Sequence, residues 1–207
     1  MTFTASPRTL ALVLCASRLA TRVIVRAAAF RATAFAALYK QAAAIEWGRW
    51  IAPSRRIRLR VTCKKSRLYH SDAVAERIAQ AIAAGVRGVR VIEGAEDEDA
   101  EDDAQLIVVR MAQDVCTISI DAAGSALHRR GWRQAVAKAP LRETLAAAML
   151  AGAQWDGRRA LVDPLCGSGT LVIEGALIAR GMTPGRARVF AAEQWPAADA
   201  ALWRAVR

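Results

Sequence analysis

The sequence has no closely spaced cysteines and almost no histidine. Cys15, Cys63, Cys116 and Cys166 stand far apart, and His70 and His128 are the only two histidines. No C-x-x-C pair and no zinc-site spacing occurs, so neither a structural metal nor a disulfide framework is expected. Scattered cysteines in apolar stretches read as reduced core residues of a cytoplasmic protein. Long apolar runs are missing too. Nothing approaches the roughly eighteen consecutive apolar residues of a membrane span, so no membrane association is expected. Leu10 to Ala16, preceded by Arg8, has the make-up of an export-signal core. It is at the short limit for one, and Arg18 and Arg22 follow closely, which argues against export.

What the chain does have is basic charge and apolar residues. Its 207 residues are 54% hydrophobic, enough for one large or two small cores, and carry a net charge of +11. Eight of its nineteen acidic residues fall between Glu93 and Asp103, so the rest holds thirty basic against eleven acidic residues. A surplus of that size favours a polyanion, because Lys and Arg release counterions from phosphates. The acidic run itself reads as a solvated loop.

Residues 1–20 read as the tail of a helix, Arg22–Arg26 as a short strand, and Thr33–Ile45 as a helix. Arg56–Cys63 is the clearest strand. Ile57, Leu59, Val61 and Cys63 share one face, and Arg56, Arg58, Arg60 and Thr62 the other. That second face is either merely solvated or positive toward a ligand. A basic loop, Lys64 to His70, encloses Tyr69. A helix capped by Ser71 follows, with Val74, Ile78 and Ile82 at four-residue spacing and Gly85 at its end. Val89–Ile92, Gln105–Met111 and Val115–Asp121 read as strands, the last two joined at Gln113-Asp114. The front half is thus a small α+β domain.

A second basic cluster, Leu127-His128-Arg129-Arg130-Gly131-Trp132-Arg133, precedes a linker and a helix from Pro140 to Gly152. Ala160–Val162 reads as a strand, Leu171–Arg180 as a helix, and Gln194–Arg207 as another. Strand, Gly-rich loop and helix in that order open a doubly wound α/β domain.

The loop in question is Asp163-Pro164-Leu165-Cys166-Gly167-Ser168-Gly169-Thr170. Gly167 and Gly169 permit a tight turn and close backbone approach, while Pro164 stiffens the strand exit. Ser168 and Thr170 offer hydroxyls or a helix cap. No Lys follows the second Gly, as a phosphate loop requires, and Val172 stands where a dinucleotide loop has its third Gly. Both nucleotide readings weaken. Asp163 suits an ammonium group and the loop amides a carboxylate, which together describe an amino-acid moiety. Cys166 has no evident His partner and reads as a small loop residue rather than a nucleophile.

The string D-P-x-C-G-S-G-T resembles the S-adenosylmethionine motif of methyltransferases that modify exocyclic amines. With Ala139-Pro140-Leu141-Arg142-Glu143-Thr144-Leu145 and the Leu127–Arg133 cluster, it resembles the THUMP-domain guanine-N2 methyltransferases of 23S ribosomal RNA. The resemblance implies a THUMP-containing α+β front domain followed by the start of an α/β Rossmann-like methyltransferase domain. It divides the chain into a ferredoxin-like remnant (1–55), a THUMP RNA-binding domain (56–122), a linker (123–139) and an incomplete methyltransferase domain (140–207). It implies that Pro140, Thr144, Asp163, Pro164, Cys166, Gly167, Ser168, Gly169 and Thr170 line the cofactor's methionine end. Lys64, Lys65, Arg67, Arg129, Arg130 and Arg133 would meet RNA phosphates, with Tyr69 and Trp132 stacking on unpaired bases. Trp132 serves equally as core. Glu174, one turn into its helix, reads as a helix-dipole residue.

The family's ribose-holding acidic residue and its N-P-P-Y-type motif for the target amine lie beyond what this sequence contains. The chain is therefore expected to be shortened at both ends and to lack catalytic residues of its own, since methyl transfer needs the amine aligned with the sulfonium methyl. The segment 157–207 is expected to be weakly stable or to associate. Rival readings are an RNA-binding module without activity, and a related methyltransferase acting on tRNA or on adenine N6.

Overall fold

The computed structural model describes residues 2–92, 103–132 and 141–207. Residues 133–139 of the expected linker, Pro140 and all but the last residue of the acidic run lie outside the described residues. Two compact units emerge, and neither is continuous in sequence. One comprises Ile24–Gly124 with Ala191–Ala198, the other Met1–Val23, Ser125–Phe190 and Asp199–Arg207.

The first unit is built on a five-stranded sheet. Its strands are β1 (Ile24–Arg31), β2 (Arg56–Lys64), β3 (Arg90–Val91), β4 (Gln105–Ala112) and β5 (Val115–Asp121), ordered β1-β5-β4-β2-β3. β2 runs parallel to β3 and β4, and β5 antiparallel to β1 and β4. The alternation expected of β2 holds: Ile57 is fully buried, while Arg56, Arg60, Thr62 and Lys64 are exposed. Helices α2 (Phe35–Ala43) and α3 (Ser71–Gly85) pack on each other, and α3 packs on β2. Val74, Ile78, Ala81 and Ile82 form the buried stripe of α3, as its four-residue spacing requires.

Three local expectations change. Ser71 does not cap α3; His70 occupies that position without a side-chain bond, and the Ser71 hydroxyl turns to Asp72 instead. β1 covers Ile24–Arg31 rather than Arg22–Arg26. Its alanines have little strand preference, but pairing with β5 from Ile24↔Asp121 to Arg31↔Val115 overrides it. The expected C-terminal helix splits into a 3-10 turn at Ala191–Gln194 in the first unit and α6 (Ala200–Val206) in the second. Pro196 lies in the gap, where it disfavours helix for the residue before it. Asp199 then caps α6 by accepting from the amides of Ala201 (2.8 Å) and Leu202 (3.2 Å).

The second unit is helical among its described residues. It contains α1 (Pro7–Ala16), α4 (Glu143–Gly152), α5 (Thr170–Ala179) and α6. Ser6 caps α1 and Pro7 opens it, and Ala11, Leu14 and Cys15 are buried. The run that resembled an export-signal core is thus an ordinary packed helix, joined to α6. Residues 160–162 do not form the expected strand. An apolar run becomes a strand only beside another strand, and no described residue pairs with it; Val162 is 81% exposed. Leu161 packs on α5 instead, where a Cβ added at Gly175 would lie 2.5 Å from the Leu161 Cδ2. Glycine at 175 is what lets the chain pass so close.

Candidate functional site

The loop 163–170 stands open on the helical unit. Gly167 and Gly169 take the left-handed region, with φ of 51° and 74°, which only glycine adopts at little cost. Nothing lies within 4 Å of a Cβ placed on Gly167. Pro164, Leu165, Cys166, Gly167 and Ser168 are exposed, Leu165 to 91%, and the backbone becomes buried only at Thr170. The turn closes through the Gly169 amide, which donates to the Cys166 carbonyl at 2.7 Å.

The expected helix cap is absent. No side chain caps α5, and the hydroxyls of Ser168 and Thr170 bond each other at 3.1 Å. A helix N-terminus without a side-chain cap favours an anion, and the helix dipole adds to that preference. Asp163 accepts from the Leu165 amide at 3.2 Å through one oxygen. Its other oxygen has no partner among the described residues. Carboxylate-binding amides and an ammonium-binding carboxylate therefore lie on one loop, which is the donor set an amino-acid moiety needs. The Cys166 thiol lies 3.9 Å from the Gly167 carbonyl, and no base is bonded to it among the described residues. Thr144 sits on α4, which packs on α5, and is buried to 7% exposure. Pro140 lies outside the described residues.

The residues expected to meet RNA divide between the units. Lys64, Lys65, Arg67 and Tyr69 lie together in the sheet unit. Lys65 has a φ of 49°, and its loop is pinned to the β4–β5 turn. The Asp114 carboxylate accepts from the Arg67 amide at 2.8 Å, and the Ser66 hydroxyl accepts from the Asp114 amide at 3.1 Å. Gln113 and Asp114 both have positive φ, the backbone a two-residue hairpin demands. Tyr69 is 68% exposed, with its ring centroid 4.0 Å from that of His70. This cluster is presented to solvent on a braced turn.

The second cluster is different. Arg129 and Trp132 are half-buried, and His128 and Arg130 are buried. Arg130 is a correction to the expected phosphate contact, because its guanidinium is already engaged. Nε pairs with Glu174 at 3.3 Å, Nη1 donates to the Leu127 carbonyl at 2.7 Å, and Nη2 donates to the Arg18 carbonyl at 2.7 Å. Glu174 is likewise more than a helix-dipole residue. It is fully buried, with Arg18 3.5 Å from its second oxygen. Sequence reading missed Arg18 and this role of Glu174. The signal was present: Glu174 is the only charge in Thr-Leu-Val-Ile-Glu-Gly-Ala-Leu-Ile-Ala, and a helix apolar all round is buried. A carboxylate in it must find cations. Arg133 lies outside the described residues.

Among the described residues no cluster of His, Cys, Asp and Glu could hold a metal, and no helix is long and apolar enough to cross a membrane. Burial and the neighbouring Cys63 push the Cys116 thiol up to about 12.

Residues 32–121 match the THUMP domain, and residues 130–206 match the RMKL-like methyltransferase domain. The chain is 35% identical over 191 residues to a Synechocystis sp. protein named "Putative RNA methyltransferase slr0064", covering 92% of this chain and 49% of that one. It is 36% identical over 196 residues to the ribosomal RNA large subunit methyltransferase K/L of Methylococcus capsulatus, covering 91% and 26% respectively. It therefore spans half or less of the length of these curated relatives. The crystal structure of SMU.472 complexed with SAH aligns with a TM-score of 0.79 and 28% identity, over 96% of this chain and 52% of that one.

Proposed function

We propose that this chain, which belongs to the THUMP-containing, RMKL-like methyltransferases, binds S-adenosylmethionine at Asp163–Thr170 and serves RNA methylation in the cytoplasm. The observation that carries the reading is the uncapped α5 N-terminus behind a doubly left-handed glycine loop, with Asp163 beside it. The methionine carboxylate is received by the loop and first-turn amides, and its ammonium by Asp163. Gly167 and Gly169 let the backbone approach, and the exposed Cys166 and Ser168 line the rim. Thr144 completes the pocket from the α4 side, and the resemblance assigns Pro140 to the same end of the cofactor. When bound, the cofactor supplies an electrophilic methyl group, and the protein's part is to hold it and exclude water.

The RNA is met first by Lys64, Lys65, Arg67 and Tyr69, a basic loop with an exposed ring for an unstacked base. Arg129 and Trp132 add to it, and Arg133 follows them in sequence. The target we assign is the exocyclic N2 of a guanine in large-subunit ribosomal RNA, in keeping with the D-P-x-C-G-S-G-T string and with what the Methylococcus relative is named for. We take 32–121 as the THUMP part and 130–206 as the methyltransferase part, wider than the 56–122 and 140–207 that the resemblance implies, since β1 and α2 share one unit with β2–β5.

Two measurements test this. Calorimetry with S-adenosylhomocysteine should give saturable binding that Asp163→Ala and Gly169→Val abolish; absence of binding by the unaltered chain rejects the cofactor assignment. Unmodified large-subunit ribosomal RNA, incubated with S-adenosylmethionine and either this chain or a full-length relative carrying its residues 1–207, should yield N2-methylguanosine on mass spectrometry. N6-methyladenosine in its place would reject the base.

A further inference from the structure

Four features of the helical unit bear on how its cofactor loop is held. The loop itself is exposed from Pro164 to Ser168, and the hydrogen bonds of Leu165, Cys166 and Ser168 run to other residues of the same loop. Its position is therefore inherited from α5, which begins at Thr170. Glu174, one turn further along, is fully buried and lies between Arg130 Nε and Arg18 Nη1, at 3.3 Å and 3.5 Å. Arg18 also donates to the carbonyl of Met182, just past the end of α5. The helix is thus tied at its middle and beyond its C-terminus, and the exposed loop leads into its N-terminus.

The far side of the tie is equally specific. Besides Glu174, Arg130 donates to the carbonyls of Leu127 (2.7 Å), Arg18 (2.7 Å) and Ser17 (3.5 Å). The Leu127 amide donates to the Thr21 carbonyl at 2.8 Å. One guanidinium therefore binds residues 17–18, residue 127 and α5 together. Residues 17–23 lead into β1, and residues 125–130 follow from β5. A planar fork with donors in fixed directions is suited to this; an ammonium is not.

We infer that Glu174 is a positioning residue for the cofactor loop: held between Arg18 and Arg130, it sets the placement of α5 and hence of the amides at Gly167–Thr170. This rests on the reading of that loop as the cofactor site. A merely structural ion cluster would behave differently. Buried ionic groups can be replaced by apolar side chains of similar volume with no loss of stability, whereas removing one partner leaves a charge stranded. Stability and loop placement can therefore be separated.

The experiment uses the whole chain. Hydrogen exchange of the 163–170 peptide, thermal melting and S-adenosylhomocysteine affinity are measured for the unaltered protein, Glu174→Gln, and the triple variant Arg18→Met/Arg130→Met/Glu174→Leu. Glu174→Gln should speed exchange in 163–170 and weaken affinity, each by about tenfold or more, while exchange in β4 stays unchanged. The triple variant should recover the melting temperature without recovering loop protection or affinity. Unchanged loop exchange in a folded Glu174→Gln chain overturns the inference. So does full recovery of loop protection by the triple variant, which also decides the matter if Glu174→Gln does not fold. If the unaltered chain binds no cofactor, the function reading fails, and loop exchange alone still decides the role of Glu174.

Discussion

The sheet unit and the helical unit differ in how much charge they bury. The sheet unit closes over a core of large apolar side chains, among them Leu38, Trp47, Ile51, Ile57, Ile78, Ile82, Ile107, Met111, Ile118 and Ile120, and among its described charged residues only Asp121 is buried. The helical unit has apolar core residues of its own, such as Leu14, Leu150 and Phe190, and buries more charge: Arg130, Glu143, Glu174 and Arg188 are each less than 9% exposed. Arg188 donates to the carbonyls of Ala126 (2.7 Å), Arg129 (2.9 Å) and Ser125 (2.6 Å). Meanwhile Leu145 and Met149 on α4, and Val162 and Leu165 by the loop, are more than half exposed. Both units have apolar cores; the helical unit supplements its own with guanidinium forks that gather loop carbonyls. The lesson is that a basic sequence run need not be a surface. Leu127–Arg130 is where the chain is most tightly laced.

That contrast can be broken from either side. The largest effect expected is in the helical unit: Arg130→Met strands the buried Glu174 carboxylate and three carbonyls, and should cost about 3–5 kcal/mol. Urea unfolding followed by exchange in α5 would measure it; a loss under 1 kcal/mol would mean that water reaches the cluster. In the sheet unit, Ile107→Ala should cost about 2–5 kcal/mol through a cavity beneath β4. Arg60→Ala, on the other face of the sheet, should cost well under that, since β2 keeps its buried side. A smaller effect concerns association. Leu145 and Met149 form an exposed pair on α4, with exposed Leu141 just before the helix, and such apolar exposure promotes self-association. Leu145→Lys with Met149→Lys should shift sedimentation toward monomer without lowering the melting temperature. Smaller again, a maleimide should label Cys166 first, since Cys15 and Cys116 are buried and Cys116 holds its proton up to about 12. S-adenosylhomocysteine should slow that labelling if Cys166 rims the cofactor.

The same division decides what was legible in the sequence. In the sheet unit the signals are local. β2 alternates within itself, α3 carries its own four-residue stripe, and Gln113-Asp114 is a hairpin turn in two residues; all three fell within a residue or so of their expected bounds. β1 did not, because Ala27–Ala29 become strand only through β5. In the helical unit the decisive contacts span long separations. Arg18 and Glu174 are 156 residues apart, and Arg130 and Glu174 are 44 apart. No window of sequence contains them. The cofactor loop is the exception, since Gly167, Gly169 and Asp163 state their backbone and charge demands within seven residues. A strand at 160–162 was not legible for the opposite reason: its residues have the preference, but a strand is a property of a pair.

The smallest effect expected is electrostatic and lies at the start of β2 in the sheet unit. Asp103 pairs with Arg56, whose side-chain hydrogen bond holds the carboxyl below its usual value. A depressed carboxylate stabilises the fold above its unfolded value, about 3.9, and that stability disappears as pH falls through the folded value. Both side chains are at least half exposed, so screening keeps the contribution at roughly 0–1 kcal/mol. Asp103→Asn should therefore lower the stability of the sheet unit slightly at pH 7, and by less in high salt or as pH falls below the carboxylate range. Arg130→Met should show little salt dependence, because buried charges are screened far less. Equal salt sensitivity in the two variants would erase the distinction between a surface pair in one unit and a buried lacing in the other.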